Sequence, residues 1–215
     1  MNAEVTDLRW LRRAVRSLED QPAPPGWNLP AIADGLDSAQ PQRDAAVLVP
    51  FVRRGDALSV LFTRRTQGMR QHPGQISFPG GGSEAGDSGP VATALRETSE
   101  ETGIQRALIE PFGYLDCLAT VSGYCVTPVT AFVRGDYVLR LQPEEVDEAF
   151  EVPLDFILTR QNWREEQIAW QGRLRDIRAF EWQHRRVWGA TAAILTNLLD
   201  RLEHRHAEPH PHFQR

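Results

Sequence analysis

The chain has 215 residues, 41% of them apolar, and a formal net charge of −5, which allows one sizeable core and excludes the overall basic surface of a general nucleic-acid binder. All 24 basic residues are arginine, and the absence of lysine excludes Walker-type phosphate loops, pyridoxal Schiff bases and the kinase strand lysine. The two cysteines, Cys117 and Cys125, have neither metal-type spacing nor a framework of pairs, and no stretch reads as a membrane span, so a reducing cytoplasm is the expected compartment.

Residues 1–20, "MNAEVTDLRWLRRAVRSLED", have a helical apolar period and mix acids with arginines, unlike a signal or transit peptide. The proline-rich "QPAPPGWNLP" cannot continue that helix, so residues 1–44 are expected to form an N-terminal helix and a connector. The runs "AAVLVPFV" and "ALSVLFTRR" flank "RRGD" and predict a hairpin. A second "RGD", Arg134 to Asp136, also follows an apolar strand and reads as a turn.

Further along come a short strand "QISF", the glycine-rich "PGGGSEAGDSG" and a helix from Pro90 to Thr102, opened by its proline and closed by Gly103. "FGYLDCLATV" and "YCVTPVTAFV" read as strands, and "REEQIAWQ" and "RLRDIRAFEW" as a strand pair round Gly172. "VWGATAAILTNLLDRLEHR" is an amphipathic closing helix. The histidine-bearing end, residues 204–215, lacks an apolar period and is expected to be a disordered tail. Strands mixed with helices, without a repeating strand-helix-strand unit, give an α+β domain over residues 45–203.

Within the Pro90 to Thr102 helix, "LRETSEETGI" places Glu97, Glu100 and Glu101 within an arc of roughly 100°. Like charges at these spacings each cost a few tenths of a kcal/mol, and the helix dipole adds to the cost so late in the helix. A solvated acidic face would normally alternate such glutamates with basic residues four positions on, and only Arg96 is near. A divalent cation turns the repulsion into binding, and oxygen ligands on one rigid helix suit Mg²⁺ or Mn²⁺.

These residues resemble the Nudix hydrolases, whose box runs G-x5-E-x7-R-E-U-x-E-E-x-G-U, with U a bulky aliphatic residue. Gly82, Arg96, Glu97, Glu100, Glu101, Gly103 and Ile104 match in register. Two positions depart: Ser88 stands at the first glutamate, with Asp87 and Glu84 as candidate replacements, and Thr98 stands at the first U. Directly upstream, "LFTRRTQGMRQHPGQISFPGG" resembles the segment LLTxR[SA]xxxRx3Gx3FPGG of the coenzyme A pyrophosphatase branch, matching at Leu61, Thr63, Arg65, Arg70, Gly74, Phe78, Pro79, Gly80 and Gly81. The resemblance implies an α/β/α sandwich with a mixed sheet, and a homodimer.

It also implies metal-dependent hydrolysis of the pyrophosphate in coenzyme A or acyl-CoA. Glu97, Glu100 and Glu101 would be the metal ligands, and Arg96 would hold a glutamate in place. Arg65 and Arg70 would bind phosphate, for which guanidinium is suited. Gly80 and Gly81 would permit close backbone approach and offer a carbonyl to the metal. The general base stays open between a box glutamate and an acid among Glu144, Glu145 and Glu148, with His72 a substrate contact at most. The alternatives are hydrolysis of another nucleoside diphosphate derivative, such as ADP-ribose or a dinucleotide, and a catalytically silent nucleotide-binding module.

Overall fold

The computed structural model describes residues 8–22, 24–35, 42–69, 72–170 and 172–205. Its frame is an eight-stranded mixed sheet. Strand β1 (Arg43–Arg54) turns at Gly55-Asp56 into antiparallel β2 (Ala57–Arg65), as the "RRGD" pattern requires. Two short strands follow, β3 (Ile76–Ser77) on β2 and β4 (Gly80–Gly82) on β1. Helix α1 covers Arg9–Ala14, α2 covers Leu29–Ile32 and α3 covers Pro90–Thr102.

Beyond α3, β5 (Ile109–Tyr114) and β6 (Leu118–Ala119) both pair with β7 (Tyr124–Arg134), which lies parallel to β1. Strand β8 (Val146–Pro153) adds to the other side of β2 and leads into α4 (Leu154–Leu158). A second, three-stranded antiparallel sheet holds β9 (Trp163–Trp170), β10 (Arg173–Trp182) and β11 (Arg185–Val187). Helix α5 (Gly189–Arg205) closes the described chain.

Alternate residues of β1 and β2 enter different cores, which is how one sheet supports helices on both faces. Leu48, Val52 and Leu61 pack with Ala94 and Leu95 of α3. Val49, Phe51, Val60 and Phe62 pack with α4, α5, Leu11 of α1 and Phe180 of β10. The α/β/α sandwich with a mixed sheet is therefore present.

Three expectations need correction. The helix expected over residues 1–20 is Arg9–Ala14 in the described part, because Val15 is extended and Arg16 exchanges backbone hydrogen bonds with Tyr114 at 2.9 and 3.0 Å. The strand "FGYLDCLATV" is broken between β5 and β6, where the Asp116 backbone N–H donates to Asn197 of α5. Cys117 and Cys125, read as unpaired, are joined by a disulfide where β6 folds back on β7, with Cα atoms 6.3 Å apart. The tail expected from residue 204 lies, beyond Arg205, outside the described residues, as do residues 1–7.

Candidate functional site

Helix α3 is set at both ends by the residues the sequence singled out. Pro90 occupies its first turn, and Gly103 ends it in the left-handed conformation at φ 71°, its N–H bonded to the Ser99 carbonyl. Thr98, where a bulky aliphatic residue was expected, is fully buried and bonds its hydroxyl to the Ala94 carbonyl at 2.6 Å. A polar residue is thus accommodated on the core face by a bond within its own helix.

The three glutamates share a helix face but not an environment. Glu100 is exposed, Glu97 is half-buried, and Glu101 is only 3% exposed. Burial pushes the Glu101 carboxyl up to about 8, against the lowering charge of Arg65 and with the raising charge of Glu97. Its Oε2 accepts a hydrogen bond from the Gly80 backbone N–H at 3.3 Å. Burial likewise raises the Glu97 carboxyl, opposed by the Arg96 hydrogen bond.

Arg96 spends all five of its N–H donors here. Nη1 donates to Glu97 Oε1 at 2.9 Å and to Glu100 Oε2 at 3.1 Å. Nη2 donates to the Gly82 carbonyl at 3.1 Å and to Asp87 Oδ2 at 3.0 Å, and Nε to Asp87 Oδ1 at 3.1 Å. The arginine therefore holds carboxylates, as its place in the box suggested.

The glycines of β4 make room for this arrangement. A Cβ on Gly81 would lie 2.6 Å from the Glu97 carboxylate, and one on Gly80, at φ 154°, would lie 2.4 Å from the Ala46 carbonyl. Gly80 also faces Glu101 with its N–H, a donor contact beside the carbonyl that the sequence suggested there for a metal.

The expected phosphate partners divide. Arg65 ends β2 on the α3 side, and its charge acts on Glu101; its buried Nε has no hydrogen-bond partner among the described residues. Arg70 lies outside the described residues. Arg64, on the opposite face, pairs with Glu148 at 3.1 Å, and Arg185 Nε donates to the same carboxylate at 3.0 Å. Those two arginines hold the Glu148 carboxyl below its ordinary range against burial, Arg185 most strongly. Two cations thus occupy one of the acids considered as a base. Glu145 is different, for its charge bears on both Glu97 and Glu101. Its segment is fastened beside α3, through Gln142 N–H to the Glu101 carbonyl at 3.0 Å and Thr66 N–H to the Glu145 carbonyl at 2.9 Å. His72 is an exposed turn residue at φ 55°.

The donor set suits a hard cation: carboxylates, a buried acid whose charge lacks full compensation, and a glycine-made recess for one of them. As the side chains stand, no three His, Cys, Asp or Glu among the described residues form a ready-made metal-holding group; Arg96 grips Glu97 and Glu100, and Glu101 faces Gly80. A cation would take the carboxylate oxygens that Arg96 leaves free. Asp87 is the site residue whose task the sequence left undecided; a carboxylate one residue before the expected glutamate was the available signal.

A mixed-sheet sandwich carrying an acidic helix behind a glycine-rich loop defines the class of the molecule. The model of the NUDIX domain matches residues 41–171, and the chain belongs to the Nudix hydrolase family. It is 38% identical over 157 residues to the uncharacterized Nudix hydrolase NudL of Enterobacter sp. (strain 638), covering 73% of this chain and 81% of that one. NudL of Photorhabdus laumondii is 34% identical over 75% of this chain and 86% of its own. Among solved structures, the MutT protein of Methanosarcina mazei Go1 shares the fold at a TM-score of 0.51 and 17% identity, over 80% of this chain and all of that one. Nudix hydrolases generally use divalent cations such as Mg²⁺ or Mn²⁺. Among the described residues no helix is long and apolar enough to cross a membrane.

Proposed function

We propose that the protein hydrolyses the pyrophosphate of coenzyme A or acyl-CoA, giving adenosine 3′,5′-bisphosphate and 4′-phosphopantetheine or its acyl form. The observation that carries this reading is the union of the two sequence signatures in space: Arg65 and Gly80, from the upstream segment, both act on Glu101 of the box helix. A segment matching the coenzyme A branch thereby sits against the acidic face and does not merely precede it in sequence.

Glu97, Glu100 and Glu101 would hold Mg²⁺ or Mn²⁺, which supplies neutralisation of phosphate charge and activation of water. Arg65 offers its guanidinium to the phosphates beside Glu101, while Arg96 keeps Glu97 and Glu100 in place. In the reaction, a water oxygen bonds to one phosphorus, the bond from that phosphorus to the bridging oxygen breaks, and the water gives up a proton. Since Glu148 is held by Arg64 and Arg185, we place Glu145 as the loop acid beside that water. Arg70 is the second phosphate partner in this reading, and a homodimer completes it.

The test is a hydrolysis screen with Mg²⁺ and with Mn²⁺ across coenzyme A, acetyl-CoA, 3′-dephospho-coenzyme A, ADP-ribose and dinucleoside polyphosphates, with products identified by mass spectrometry. Adenosine 3′,5′-bisphosphate from coenzyme A at the highest kcat/KM supports the proposal. Preference for ADP-ribose or a dinucleotide replaces the substrate within the same family, and no turnover of any of them favours a silent binding module.

A further inference from the structure

We infer that Asp87 is the residue that positions the metal-binding carboxylates in this chain, acting through Arg96 from one place ahead of the family's glutamate, where Ser88 stands. The inference rests on the metal-site reading above and adds a residue to it.

Asp87 is nearly enclosed, at 8% side-chain exposure, and each of its oxygens is engaged. Oδ1 accepts Arg96 Nε at 3.1 Å. Oδ2 accepts Arg96 Nη2 at 3.0 Å, the Thr93 hydroxyl at 2.9 Å and the Glu84 backbone N–H at 3.0 Å. One carboxylate thereby closes the 84–87 turn, ties it to the first turns of α3 and grips the guanidinium from two sides. Glu84, the other candidate replacement, is 70% exposed and stands 3.7 Å from Arg96 Nη1.

The consequence lies in what Arg96 is left able to do. With Nε and one Nη2 hydrogen given to Asp87 and the other to Gly82, only Nη1 reaches the glutamates, contacting one oxygen of each. The second oxygen of Glu97 and of Glu100 stays available to a cation. Without the Asp87 charge, the guanidinium is free to swing and take both carboxylates bidentately, the geometry it favours, in competition with the metal. Outer partners of ligating carboxylates typically change metal affinity by about 10–100-fold.

The experiment measures Mn²⁺ binding by calorimetry and by electron paramagnetic resonance, without substrate, on wild type, Asp87→Asn and Asp87→Asn/Ser88→Glu. The asparagine is isosteric and keeps an acceptor for the Glu84 N–H and the Thr93 hydroxyl, and circular dichroism monitors the fold. Mn²⁺ affinity is expected to fall at least about tenfold in Asp87→Asn and to recover in the double variant. Lost turnover of Asp87→Asn should return as Mn²⁺ is raised, a recovery that a general structural defect would not show. Unchanged Mn²⁺ affinity in Asp87→Asn, with or without a lower melting temperature, overturns the inference, as does a loss that Ser88→Glu fails to repair. Failure of the wild type to bind Mn²⁺ overturns the metal site itself and this inference with it, whereas binding without coenzyme A turnover removes only the substrate.

Discussion

Glu97 and Glu101 are unequal in burial, yet each should be indispensable. In Glu97→Gln and Glu101→Gln the fold is expected to survive while kcat falls by orders of magnitude at saturating Mg²⁺; near-normal turnover in either would remove that glutamate from the ligand set. The glycines opposite them separate site from scaffold. Gly81→Ala places a Cβ 2.6 Å from the Glu97 carboxylate at an ordinary backbone angle, so activity should drop at least tenfold with little change in melting temperature. Gly80→Ala meets backbone at 2.4 Å and a φ of 154°, and should cost about 1–3 kcal/mol of stability. Equal thermal behaviour of the two variants would refute this division. Arg65 acts on Glu101, so Arg65→Ala should weaken coenzyme A and 3′-dephospho-coenzyme A alike, by about 1.5–3 kcal/mol in kcat/KM. A loss confined to coenzyme A would instead assign Arg65 to the 3′-phosphate.

At the scale of the element, α3 was legible because its signals are local: Pro90 at the start, Gly103 at the end, and a period that put Ala94, Leu95 and Thr98 inward. The hairpin at Gly55-Asp56 and the strand pair around Gly172 were readable for the same reason. What escaped depends on partners distant in sequence. Arg16 leaves the helical path to pair with Tyr114, and Glu148 meets Arg185 from another sheet; neither event has a local mark. Asp87 lies between these cases, since its carboxylate was visible but its four hydrogen bonds form only when the turn closes on α3. Thr98 offers a test inside the helix. Thr98→Val removes a hydroxyl that bonds back to Ala94 and buries a methyl in its place, so stability should rise by about 0.5–1 kcal/mol. In a chain of this size that is a gain of roughly 1–4 °C in Tm, and a lower Tm would mean that the Thr98 hydroxyl stabilises the core face.

Across the whole molecule, Asp116 joins parts that the sequence separates widely. It accepts hydrogen bonds from Asn197 Nδ2 at 3.0 Å and Arg201 Nη1 at 2.8 Å on α5, and from Arg16 Nη1 at 3.3 Å just beyond α1. Arg201 Nε also reaches the Ala14 carbonyl at 2.6 Å, so one cluster fastens the N-terminal segment to the closing helix. Burial raises the Asp116 carboxyl, but the Asn197 bond and the charges of Arg201 and Arg16 outweigh it and hold the group below its ordinary range. The folded state then binds the Asp116 proton less readily than the unfolded chain does. Its contribution is complete above the ordinary aspartate value, near pH 4, and is lost as pH falls through the lowered folded value. Asp116→Asn should therefore lower stability by about 1–3 kcal/mol at pH 7. In thermal melts from pH 7 to pH 3, its Tm should fall less steeply in the acid range than that of the wild type. Parallel curves would show that the cluster holds the two ends together without drawing on the Asp116 charge.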